Sequence, residues 1–188
     1  MRRLLATMAA LLACAAVFAQ VKLDGTWHCR TGTDGEKIEQ GGVEIQLRTV
    51  LDVTWTFTGN NYTMSVATSV TMSQAPSANK DAMVINIEAT GSGAGKLAAG
   101  GGRLTLTPDK KMKPKVEASV DVDNLPGASL ARPMIVGATK KGLAASLKEV
   151  QEYKIISIRQ NELTLETIPD ESDIKNGVKA ERMVLVRK

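Results

Sequence analysis

Tyr62-Thr63-Met64-Ser65-Val66-Ala67-Thr68-Ser69-Val70-Thr71-Met72 decides how this chain folds. Tyr62, Met64, Val66, Thr68, Val70 and Met72 alternate with Thr63, Ser65, Ala67, Ser69 and Thr71. Period two places successive side chains on opposite faces of an extended strand, so this run has an apolar face and a hydroxyl face. At ~3.3 Å per residue it is long enough to cross the wall of a barrel. Just before it, Val53, Trp55 and Phe57 alternate with Thr54 and Thr56. Thr58-Gly59-Asn60-Asn61 between the two runs supplies residues that tolerate positive φ, which predicts a hairpin.

The same pattern extends in both directions. Met83, Ile85, Ile87 and Ala89 line one face of a further strand, Leu104 and Leu106 another, and Val116, Ala118, Val120 and Val122 a third. Tyr153 to Arg159 and Glu162 to Thr167 flank the tight-turn pair Gln160-Asn161, and the chain closes on Ala180 to Arg187. With Leu23 to Arg30 and Val43 to Val50, about nine or ten strands follow one another through short turns. The expected class is all-β: a single antiparallel up-and-down β-barrel of about 8–10 strands. Leu143, Leu147 and Val150, at i, i+4 and i+7 after Gly142, predict a short helix. Residues 108–142 hold Pro108, Pro114, Pro126 and Pro133, so one strand with long loops is expected there, and long loops in general near 108–150. Gly91 to Gly95 and Gly100-Gly101-Gly102 predict a glycine-rich strand end and loop.

The chain has 188 residues, 43% hydrophobic, 23% charged and 3% aromatic, which suits one folded domain and excludes wholesale disorder. Met1-Arg2-Arg3, the uncharged stretch Leu4 to Phe18, and Val17-Phe18-Ala19 have the layout of a signal peptide cleaved after Ala19. The apolar run is too short to span a bilayer, so no transmembrane span is expected. Residues 1–19 are therefore a signal peptide and 20–188 the domain, with a periplasmic or secreted destination. Leu11-Leu12-Ala13-Cys14 also resembles a bacterial lipoprotein box, which would anchor Cys14 in lipid; the apolar Ala15 to Ala19 argues against it. Losing Arg2 and Arg3 from 24 basic residues leaves 22 against 20 acids, a field too weak for nucleic acid. Cys29 is then the one thiol, which rules out an internal disulfide and reads as a small buried apolar residue.

No catalytic constellation emerges. Gly91-Ser92-Gly93-Ala94-Gly95-Lys96 has Thr90 where a phosphate loop needs Gly and Leu97 where it needs Ser or Thr. His28 is the lone histidine, and its neighbour Cys29 faces the other side of a strand, so the two cannot chelate one ion. Gly127-Ala128-Ser129-Leu130-Ala131 lacks the second Gly of a nucleophile elbow. Asp121 and Asp123 fall short of a calcium loop, and Lys110, Lys111, Lys113 and Lys115 read as a solvated face. No enzyme activity, metal or cofactor is expected.

Leu23-Asp24-Gly25-Thr26-Trp27, with Trp55 to Tyr62 and the closing Met183-Val184-Leu185-Val186-Arg187-Lys188, resembles the lipocalin-like (calycin-type) domains of exported bacterial proteins. The resemblance implies a barrel around an apolar cavity, with Gly25 turning the chain beneath the floor and Trp27 plugging it. It also implies an Arg stacked on that Trp, a role open to Arg187 or Arg182. The chain departs from the family in having no Thr-Asp-Tyr-like turn. The expected interior is Trp55, Phe57, Tyr62, Met64, Val66, Val70, Met72, Ile85 and Ile87. That interior either holds a small apolar or lipid-like ligand, or is filled by its own side chains in a structural or protein-interaction domain of the cell envelope.

Overall fold

A computed structural model of the chain describes residues 23–40, 43–76, 82–123, 127–169, 175 and 179–188. The signal-peptide reading of residues 1–19 and the lipid-anchor reading of Cys14 fall outside the described residues. The alternating run around Val66 becomes β3 (Asn61–Gln74), preceded by β1 (Gly25–Gln40) and β2 (Val43–Thr58). β4 (Met83–Gly100), β5 (Arg103–Pro108) and β6 (Lys115–Asp123) follow. Then come α1 (Ala128–Ser146), β7 (Gln151–Ile158), β8 (Glu162–Thr167) and β9 (Arg182–Arg187).

Every pairing is antiparallel, and eight strands close a ring in the order β1-β2-β3-β4-β5-β7-β8-β9. β2 and β3 pair without a break from Thr58↔Asn61 to Ile45↔Gln74, because the Gly59-Asn60 turn sets the register and a one-residue slip would turn the apolar face outward. β6 stands outside the ring. β4 is long enough to pair β5 through Gly95–Gly100 and β6 through Val84–Ser92. Beyond the ring, β1 to β4 and β6 therefore continue as an open sheet, with α1 against β6 and β4.

The floor is packed solid. Leu23, Trp27, Phe57, Leu104, Leu106, Leu163, Leu165 and Leu185 are all essentially without exposure. Gly25 has φ 126°, a conformation that strains any residue with a Cβ, and it sits where the Arg187 side chain passes. The Trp27 indole N–H donates to the Leu23 carbonyl at 2.6 Å, and the Arg187 guanidinium lies 4.6 Å from the ring centroid. Arg187 thus takes the stacking position, while the Arg182 Nε donates to Glu166 Oε2 at 2.8 Å. That bond to Arg182 holds the Glu166 carboxyl below its usual range.

Several expectations need correction. The excursion is not mostly loop: α1 covers Ala128–Ser146 even though Pro133 sits in its second turn. A proline that early removes only one helical bond, and Ala131, Ile135, Thr139 and Leu143 still make an unbroken i, i+4 stripe that is half-buried. Helix α1 ends at Ser146, so Val150 lies past it and is exposed. Gly91 to Gly95 are mid-strand in β4, and only Gly101-Gly102 form a turn. Val43 to Val50 is no separate strand but the first half of β2.

Removing the Arg187 charge while keeping its apolar stem, in Arg187→Met, is expected to cost about 1–2 kcal/mol through the lost cation–π contact. Emptying the floor with Leu165→Ala is expected to cost about 2–5 kcal/mol. Equilibrium urea unfolding of both variants checks the order, which would reverse if the floor were loosely packed.

Candidate functional site

Directly above the floor the interior stops being filled. An open-mouthed cavity of about 430 Å³ lies between the ring and α1. β2 contributes Leu51, Val53 and Trp55 to it, and β3 contributes Met64, Val66 and Thr68. Gln151 and Tyr153 of β7 and Met183 of β9 face them, while Thr139, Leu143, Ser146 and Leu147 close the side toward α1. Alternation explains the strand contribution, since odd positions of β2 and even positions of β3 share the inner face.

Glycine brings the helix close. A Cβ at Gly91 would stand 2.8 Å from Leu147 Cδ1 and 3.1 Å from Leu143 Cδ2, so the missing side chain is what lets both leucines seat on β4. Four residues along, at Gly95, a Cβ would run into the carbonyl oxygen of Thr107, part of the β5 backbone. The two sites are expected to respond differently. Gly91→Ala displaces two flexible side-chain tips and should cost under about 1 kcal/mol, whereas Gly95→Ala must move backbone and should cost about 1–3 kcal/mol. Thermal unfolding of the two variants reads the difference.

The cavity wall is aromatic on one side. Trp55 stacks on Phe57 at 6.3 Å between centroids and meets Tyr153 edge-on at 5.7 Å. The Tyr153 hydroxyl donates to Gln151 Oε1 at 3.1 Å. Burial, with Tyr62 adding to it, pushes the Tyr153 hydroxyl up to about 12 from an ordinary 10. Among the described residues Tyr153 is the one ionisable side chain that lines the cavity, and it is uncharged at neutral pH. Because its folded value is the higher one, the linked stability is whole below pH 10 and is lost as pH rises to 12. That loss is up to about 3 kcal/mol. Tyr153→Phe should flatten the fall in stability over that range, measured by urea midpoints at stepped pH.

Of the residues expected to line the interior, the cavity brings together Trp55, Met64 and Val66. Phe57 and Tyr62 are buried in the packed part of the ring instead. Val70, Met72, Ile85 and Ile87 do not reach the cavity: Val70 pairs with Ile87 and Met72 with Ile85 on the open sheet beyond the ring. β3 and β4 outrun the short β8 and β9, so one apolar face serves two places. Thr139, Leu143, Ser146 and Leu147 of the helical side were missing from the expected lining. Their signal was the i, i+4 stripe through Ala131, Ile135 and Thr139, which the proline at 133 obscured.

Other chemistry-bearing residues stay apart from the cavity. Cys29 is buried, and burial, with the Asp52 carboxylate adding to it, pushes its thiol up. His28 points the other way and its Nε2 lies 2.8 Å from Asp52 Oδ1. Lys113 and Lys115 border a separate cleft on the outer, hydroxyl-rich face with Thr54, Thr56, Thr63, Ser65 and Ser92. Asp121 meets Arg132 of α1 at 3.5 Å. Among the described residues no group of three or more His, Cys, Asp or Glu is placed to hold a metal ion. Nor is any described helix long and apolar enough to cross a membrane. Comparison with protein-family models yields no match, and comparison with curated proteins yields none either.

Proposed function

We propose that the chain is an exported, non-catalytic, lipocalin-like carrier that holds one small apolar molecule in the mouth of its barrel. The observation that carries this reading is the cavity of about 430 Å³ above a fully packed floor. Its size falls in the range of small-molecule sites, about 300–1,000 Å³, and its walls are mostly aliphatic and aromatic. Met64 and Met183 supply flexible, polarisable surface that adapts to an irregular guest. The stacked Trp27 and Arg187, with Gly25 beneath them, agree with the lipocalin-like resemblance. Export rests on the amino-terminal pattern over residues 1–19.

The second reading is a protein-interaction domain. Leu130 and Met134, one turn apart on α1, are 76% and 75% exposed and offer an apolar contact patch. A filled cavity separates the two. Val66→Trp should block uptake of a neutral fluorescent apolar probe, while Val186→Trp, exposed on β9, should leave uptake intact. Probe titration with native mass spectrometry should show one molecule bound per chain. Equal uptake by the two variants, or none by the wild type, would favour the interaction domain.

A further inference from the structure

β6 differs from every strand of the ring: among the described residues it pairs with β4 and with no other strand. Alternation decides which backbone groups its outer edge presents. The two-residue turn at Gly59-Asn60 makes Thr58↔Asn61 a hydrogen-bonded pair, so odd positions of β3 bond to β2 and even ones to β4. Even positions of β3 oppose odd positions of β4, which leaves the even ones of β4 to bond Lys115, Glu117, Ser119 and Asp121 of β6. Val116, Ala118, Val120 and Val122 therefore turn their N–H and C=O groups to the open edge. Val122 agrees with this: its N–H donates to Asp121 Oδ1 at 3.0 Å and its carbonyl accepts from Arg132 at 3.3 Å. Val116, Ala118 and Val120 have no such substitute among the described residues. Helix α1 packs on the apolar face, through Leu143 and Leu147 at Gly91, and reaches the edge through Arg132. A nine-residue edge that pairs β4 without a bulge, and has no proline inside it, is a template for another strand.

We infer that this edge pairs with the β6 edge of a second copy of the chain, antiparallel and centred on Ala118, so that two open sheets join into one. The inference is independent of what the cavity holds. Charge selects both the partner and the register. Centred on Ala118, a twofold pairing sets Lys115 opposite Asp121 of the second copy at both ends, and both side chains are exposed. It sets Val116 opposite Val120 on the apolar face and Glu117 opposite Ser119 on the polar one. Val116, Ala118 and Val120 then exchange their free backbone bonds with the second copy. Centring one residue earlier opposes Glu117 to its own copy, and one residue later opposes Glu117 to Asp121. Like charges directly opposite destabilise a strand pair, so both neighbouring registers are disfavoured. The ends fit as well: Val122 falls opposite Pro114, which has no N–H to give, and the Val122 carbonyl already has Arg132.

Sedimentation equilibrium and hydrogen exchange of the intact protein at stepped concentrations test this. The wild type should dimerise as its concentration rises, and the amides of Val116, Ala118 and Val120 should gain protection in step. Lys115→Glu opposes two carboxylates at each end of the seam, and Asp121→Lys opposes two ammonium groups. Each variant should weaken the dimer at least roughly tenfold while keeping the circular dichroism of the wild type. Mixed in equal amounts, the two variants should recover a dimer within about threefold of wild-type strength, because each supplies the charge that the other lacks. A wild type that stays monomeric up to about 1 mM overturns the inference. So does a dimer indifferent to both variants, or a mixture that associates no better than either variant alone. Protection of the three amides that appears only when a different protein is added would give the edge to another partner and overturns it too.

Discussion

The ring is held shut by a short seam. β9 meets β1 through two register pairs, Trp27↔Arg187 and His28↔Val186, and among the described residues no other strand joins these two. Without that seam both edges of an eight-strand sheet would present unpaired backbone groups. The seam is short in hydrogen bonds but dense in side-chain contact. Arg187 covers the Trp27 ring, Trp27 bonds back to Leu23, and Leu185 and Leu165 fill the space above. Gly25 makes this geometry possible, since the chain enters β1 in a conformation that favours glycine.

From that closed end the strands diverge in length, and the cavity follows from the mismatch. β8 and β9 have six residues each, whereas β2 has 16 and β4 has 18. Where the short strands end, the inner faces of β2 and β3 lose their opposing wall. α1 supplies a partial replacement, seated on Gly91 through Leu143 and Leu147. It narrows the opening without filling it. The result is a packed floor, a mostly apolar cavity, and an open sheet beyond, all lined by one continuous apolar face. The aromatic residues track this division: Trp27, Phe57 and Tyr62 belong to the packed part, and Trp55 with Tyr153 borders the cavity.

Much of the architecture was legible in local pattern. Tyr62 to Met72 named its own conformation because period two is a property of neighbouring residues. Gly59-Asn60 and Gln160-Asn161 named their turns because positive φ and tight reversal suit those residue types. Gly25-Thr26-Trp27 and a closing arginine pointed to the floor, although the choice between Arg182 and Arg187 needed register, since only Arg187 lies opposite Trp27. Helix α1 was harder to see: Pro133, Gly137 and Gly142 argue for loop residue by residue. The stripe from Ala131 to Leu143 gains its meaning only from the sheet it covers.

The sequence by itself determined the class, the strands and their facing, because alternation and turn chemistry act over a few residues. Tertiary structure decided which part of that facing is packed and which is empty. Val66 and Val70 are alike in sequence, both inward on β3, yet one borders the cavity and the other pairs with Ile87 on the open sheet. What separates them is the length of strands β8 and β9, residues far along the chain whose reach sets where the opposing wall ends. Strand length relative to distant partners is a long-range quantity, and no local pattern encodes it.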